Sequence, residues 1–121
     1  MKPRLAIVLL ALQLVALLVG TQMPNLWREG VLQAARAPAF MSSLAHFVVF
    51  AGMAMVLTAR PLAWPFVRIA LAALALALLS EGLQYFAIDR HPRWLDVGID
   101  MSGALLGWGL ITLGALCVTR R

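Results

Sequence analysis

Charge is what this chain has least of. Of its 121 residues five are acidic and ten basic, and only 12% are charged. Soluble domains carry about 25% charged residues and are roughly half apolar. Here the hydrophobic share is 63% and the mean hydropathy +0.91. A soluble fold of this length cannot hide that much apolar surface, so soluble enzymes and soluble binding modules are set aside. Cysteine is nearly absent too. The lone Cys117 cannot form an internal disulfide, has no His or acid beside it in its apolar segment, and reads as a small packing residue. There is no Cys/His metal spacing, no His-x-x-x-His pair, no Gly-x-Ser-x-Gly elbow and no phosphate-cradling glycine loop. The sequence therefore implies no metal and no cofactor, and it leaves the identity of any catalytic residue unknown. The net charge of +5 argues for no nucleic-acid partner, because the basic residues stand at the ends of apolar segments and not in a basic run.

What is present is four apolar stretches. At about 20 residues per bilayer crossing they predict an all-α integral membrane bundle of four transmembrane helices, over residues 5–22, 40–59, 67–88 and 96–119. No room remains for a separate soluble domain, so the chain reads as one transmembrane domain over 1–121. The basic start followed by an apolar run resembles a secretory signal, but no small-x-small cleavage site follows it, which favours a retained first helix. Gln13 interrupts that helix and is expected to pair with a neighbouring one. Residues 29–37 form a weak candidate for a short interfacial helix, with Trp27 at headgroup level and Pro24 and Gly30 as breakers. Ser42 or Ser43 is expected to cap the second crossing. Gly103 and Gly107 repeat as a small-xxx-small pair that invites close helix packing.

With four crossings both termini share a side. That side collects Lys2, Arg4, Arg60, Arg68, Arg120 and Arg121, against Arg28, Arg36, Arg90 and Arg93 on the other. The positive-inside rule then places both termini in the cytoplasm of a multi-pass protein, and the loops around 21–40 and 89–95 outside.

Four of the five acids, Glu81, Asp89, Asp96 and Asp100, fall between Ser80 and Gly107 with Arg90 and Arg93 among them. Within a crossing a charged group costs about 2.5–3.5 kcal/mol on insertion scales, so such residues mark a site or a network. Gln84 follows Glu81 by three positions and shares its helix face; Asp96 and Asp100 are four apart and share theirs. His46 lies at the same depth on the second crossing. The candidate ligand or polar-cluster residues are thus His46, Glu81, Gln84, Arg90, Arg93, Asp96 and Asp100. Each has a structural reading beside the functional one. The cluster can fix the hairpin between the third and fourth crossings, Asp96 can cap the fourth, His46 can bond a carboxylate across the bundle, and His91 reads as a solvated loop residue.

These residues resemble the VanZ-like family of small bacterial membrane proteins. The resemblance rests on His46-Phe47, on Glu81-Gly82-Leu83-Gln84 followed by Phe86, on Arg90, and on Asp96-Val97-Gly98-Ile99-Asp100-Met101-Ser102-Gly103-Ala104-Leu105-Leu106-Gly107, and is strongest over 43–107. Two positions depart from the family pattern: Ser43 stands where a Lys is frequent, and Asp100 where the family has Asn, which makes this site more acidic. The resemblance implies a bacterial inner (cytoplasmic) membrane protein with a cell-envelope role, connected to resistance to the glycopeptide teicoplanin. The expected partners are the lipid bilayer, a lipid-linked or glycopeptide-like amphiphile, and another membrane protein. Two other functions stay open: a membrane-embedded enzyme acting on a lipid head group, with Glu81 or Asp96 as base and His46 as proton carrier, and a structural subunit of a membrane complex. The orientation is directly testable. With Cys117 replaced by Ala, a cysteine at Gly30 should react with a membrane-impermeant maleimide in intact cells; labelling only after lysis rejects the assignment.

Overall fold

The computed structural model describes residues 1–38, 40–86 and 93–120. Among the described residues there are five α-helices and no strand: α1 (Pro3–Gln22), α2 (Asn25–Ala34), α3 (Met41–Thr58), α4 (Phe66–Gln84) and α5 (Trp94–Thr119). All but α2 are long and apolar enough to cross a membrane, so the chain is a multi-pass membrane protein. The 20 residues of α1 span about 30 Å, the hydrocarbon thickness of a bilayer. The 26 residues of α5 span about 39 Å, so it tilts or its outer turns project beyond the hydrocarbon.

Prolines set several helix starts. Pro3 occupies the first turn of α1, where its missing N–H is not needed. Pro24 and Pro65 immediately precede α2 and α4. The connection from α3 to α4 is closed by the Trp64 N–H donating to the Leu57 carbonyl at 2.9 Å, and by the Arg68 guanidinium 5.5 Å from the Trp64 ring.

Several local expectations are corrected. The interfacial helix occupies Asn25–Ala34, not 29–37. Pro24 starts it, and Gly30 sits inside it at a cost of about 1 kcal/mol that does not break it. Phe40, not a serine, precedes α3, so Ser42 lies within its first turn. The third crossing ends at Gln84, with Tyr85 and Phe86 in a turn; residues 87 and 88 lie outside the described residues. The fourth crossing begins two residues early, at Trp94.

The outer surface is apolar nearly throughout, with Leu12, Val15, Leu71, Leu79, Leu113 and many others exposed, whereas Thr21, Ser80, Glu81, Gln84 and Asp100 are buried. This inversion of the soluble pattern follows from the solvent. Lipid offers no hydrophobic gain for helix association, so the helices are held by close packing and internal polar contacts. The closest packing is between α3 and α5. A Cβ added at Gly103 would collide with the Phe47 carbonyl oxygen, and one at Gly107 with that of Ala51. Because the partners advance together, from 47 to 51 and from 103 to 107, α3 and α5 run parallel. In the core Phe50 and Ala54 of α3 meet Ala104 of α5, Ile69, Ala73 and Ala77 of α4, and Leu17 of α1. Phe66 and Trp108 join α4 to α5 with ring centroids 4.6 Å apart. On α1 the Gln13 amide lies over Gly52, where a Cβ would be 2.6 Å from Nε2; its Oε1 is buried without a hydrogen bond among the described residues, so the expected pairing is not made through that atom.

Gly103→Ala and Gly107→Ala should each destabilise the bundle by about 1–3 kcal/mol or more through overpacking. Gly109→Ala, whose Cβ would meet nothing within 4 Å, should be neutral or stabilising by up to about 1 kcal/mol. Loss of helical circular dichroism on titration with a denaturing detergent measures all three. Equal losses at 103 and 109 would contradict the packing argument.

Candidate functional site

The polar side chains converge where α3 and α5 begin and α4 ends. Glu81 is three residues from the end of α4, one turn from its terminus where the longer predicted helix put it about two turns deep. It is 8% exposed and Gln84 2%. Glu81 Oε2 accepts the Arg93 backbone N–H at 2.9 Å, and Oε1 accepts from Gln84 Nε2 at 3.3 Å. Arg93 is the residue just before α5, where helical N–H groups lack intrahelical partners. One buried carboxylate therefore ties the end of α4 to the start of α5. Arg90 and Arg93, standing among the acids in the sequence, carry the side chains able to supply such a contact. A backbone amide does so, and backbone amides leave no residue-type signal.

The Arg93 side chain instead reaches Asp96, with Nη2 3.4 Å from Oδ1. Asp96 is in the first turn of α5, not ahead of it, so it does not cap the helix, although its charge complements the positive helix terminus. The Arg93 side chain is 61% exposed. Exposed pairs of this kind contribute about 0–1 kcal/mol, so the guanidinium is readily redirected.

His46 and Asp100 form the second half of the cluster. His46 Nδ1 lies 3.2 Å from Asp100 Oδ1, across the α3–α5 contact that Gly103 and Gly107 allow. Asp100 is 0% exposed, and its Oδ2 is buried without a hydrogen-bond partner among the described residues. An ionised Asp100 fixes the imidazole with its N–H on Nδ1 and leaves Nε2 as the nitrogen able to accept or deliver a proton. Arg90, Asp89 and His91 lie outside the described residues.

The cluster faces two separate clefts. One, of about 290 Å³, lies between α4 and α5 and is lined by Leu78, Glu81, Gly82, Tyr85, Arg93, Trp94 and Val97. The other, of about 220 Å³, lies among α1, α2 and α3, and its polar lining is Arg28, Ser42 and His46. Arg28 and Ser42 were not among the site candidates read from the sequence. Arg28 Nη1 donates to Ser42 Oγ at 3.4 Å, which ties α2 to α3. The available signal was weak: Ser42 and His46 are four apart on one helix face, but only the fold brings Arg28 to them.

The chemistry differs between the halves. Glu81 is held on both oxygens and forms a fixed acceptor wall. The His46–Asp100 pair can move a proton, but no hydroxyl or thiol bonds to His46 among the described residues. Nor do three or more His, Cys, Asp or Glu side chains group in a metal-holding arrangement there. Glu81→Ala should cost about 1–3 kcal/mol by leaving the part-buried Arg93 N–H without its acceptor, while Glu81→Gln, which keeps an acceptor, should cost less. Asp100→Ala and Asp100→Asn should rank the same way. Thermal unfolding in detergent checks the order, and an alanine variant as stable as its amide counterpart rules out the linking role.

A family model described as VanZ/LLP1 matches residues 5–116, nearly the whole chain. No curated protein sequence and no solved structure matches it.

Proposed function

This chain belongs to the VanZ-like family, and on that premise we propose that it is a cell-envelope protein that binds the head group of an amphiphile at its polar end. It lies in the bacterial inner membrane as one transmembrane domain with both termini in the cytoplasm, and the polar end faces outward. The excess of basic residues at the opposite end supports this orientation. The amphiphile is lipid-linked or glycopeptide-like, and the biological outcome is resistance to glycopeptides of the teicoplanin type.

The observation that carries the reading is the pairing of a fixed acid with a redirectable base around one cleft. Glu81 is immobilised on the α4–α5 wall, and Arg93 stands largely exposed at the same cleft, where among the described residues Asp96 alone pairs with its guanidinium. An anionic head group can take over the guanidinium, which is planar, multi-donor and always charged. Leu78 and Val97 give an attached chain apolar contact. Arg90 is proposed as a further head-group contact on the strength of the family resemblance. A second reading, acid–base catalysis on a lipid head group, is favoured by one observation, the His46–Asp100 pair.

Expression in a teicoplanin-susceptible host separates the two. Under the binding reading Arg93→Ala returns the inhibitory concentration to that of the empty host at unchanged membrane level, and His46→Gln, which can still donate to Asp100, stays functional. Under the catalytic reading His46→Gln is inactive. If the unaltered protein gives no protection, the resistance role is rejected.

A further inference from the structure

The cleft among α1, α2 and α3 lies outside the site just proposed. Its walls are apolar, with Leu17 and Met23 from α1, Leu32 from α2, and Val49 from α3 among them. Its polar lining consists of Arg28, Ser42 and His46, and no acid lines it among the described residues. Ser42 and His46 are successive turns of one α3 face. Arg28 bonds the first through Nη1, and Asp100 backs the second. So the cleft combines a hydrocarbon-like wall with two hydrogen-bond donors, Arg28 and Ser42, and an imidazole beside the short interfacial helix.

The surface of α2 agrees with that placement. Leu26, Trp27 and Val31 are exposed, and Arg28 and Leu32, four apart, turn to the cleft. A helix with this division lies at the headgroup boundary, apolar side chains in the acyl region. It packs only lightly on the bundle, so a chain can enter beneath it from the bilayer.

We propose that this cleft holds one anionic phospholipid of the bilayer, its phosphate bonded by Arg28 and Ser42 beside His46 and its upper acyl segment along Leu17, Leu32 and Val49. A guanidinium carries five N–H donors in a planar fork, so Arg28 engages a phosphate oxygen alongside Ser42. A zwitterionic lipid fits the walls equally well but brings a second, positive group to Arg28. The bound lipid bridges α2 to α1 and α3 and thereby steadies the His46 side of the polar cluster.

Native mass spectrometry of the full-length protein tests this, from micelles containing equal amounts of phosphatidylcholine and phosphatidylglycerol. The unaltered protein should retain phosphatidylglycerol in preference. Arg28→Gln should lower that retention about tenfold, the scale of one charge-assisted contact. Gly20→Leu should lower it as much without touching the charge: Gly20 lines the cleft and a Cβ there meets nothing within 4 Å, so the added side chain fills the space. Arg60→Gln, at the far end of the bundle, should change nothing. Equal retention of both lipids, normal retention by Gly20→Leu, or an equal loss in Arg60→Gln would overturn the proposal. Displacement of the lipid by an equal concentration of inorganic phosphate would overturn the acyl part and assign the site to free phosphate. If Arg28→Gln loses its helical circular dichroism, Gly20→Leu decides the outcome, since it also replaces a helical glycine with a better helix former.

Discussion

Two glycines on α5 set the distance on which the polar end depends. Gly103 and Gly107 let that helix lie against the Phe47 and Ala51 carbonyls of α3, closer than any side chain would permit. In lipid this matters more than in water, because burying apolar surface against another helix gains nothing over burying it against acyl chains. Attraction must come from many short contacts between backbones. One turn toward the polar end the same approach brings His46 within reach of Asp100.

The buried charges follow from that geometry. Glu81 and Asp100 are costly inside a membrane, and each is answered differently. Glu81 is met by a backbone amide and a side-chain amide, which makes it a rigid clasp between α4 and α5. Asp100 is met on one oxygen by an imidazole and on the other by nothing among the described residues. The first arrangement resembles a structural network and the second a reactive pair, and the two halves face different clefts. Structural and functional readings of the cluster are therefore distributed over different residues and need not compete for the same ones.

Much of this was legible in residue order. Hydropathy alone located all four crossings to within a few residues at most described ends, because only about 20 consecutive apolar residues satisfy both the backbone and the bilayer. The spacing of Gly103 and Gly107 announced close packing, and Glu81 with Gln84 announced a hydrogen bond along one helix face. The failures were at helix ends. The serines expected to cap α3 do not, Asp96 is inside α5, and α2 starts earlier than its weak pattern suggested. Terminal turns are decided by competing contacts of similar small energy, and those contacts are non-local.

The sequence by itself determined that this is a four-crossing membrane protein, that its scarce acids gather at one end, and which helix faces carry them. These are local properties, governed by transfer energy and by the 3.6-residue turn. Only the tertiary structure decided who meets whom: Glu81 with the Arg93 amide, His46 with Asp100, Arg28 with Ser42. Such pairings depend on how closely two helices approach and in what register. That is set by the surfaces of both helices together, and no single stretch of chain contains it.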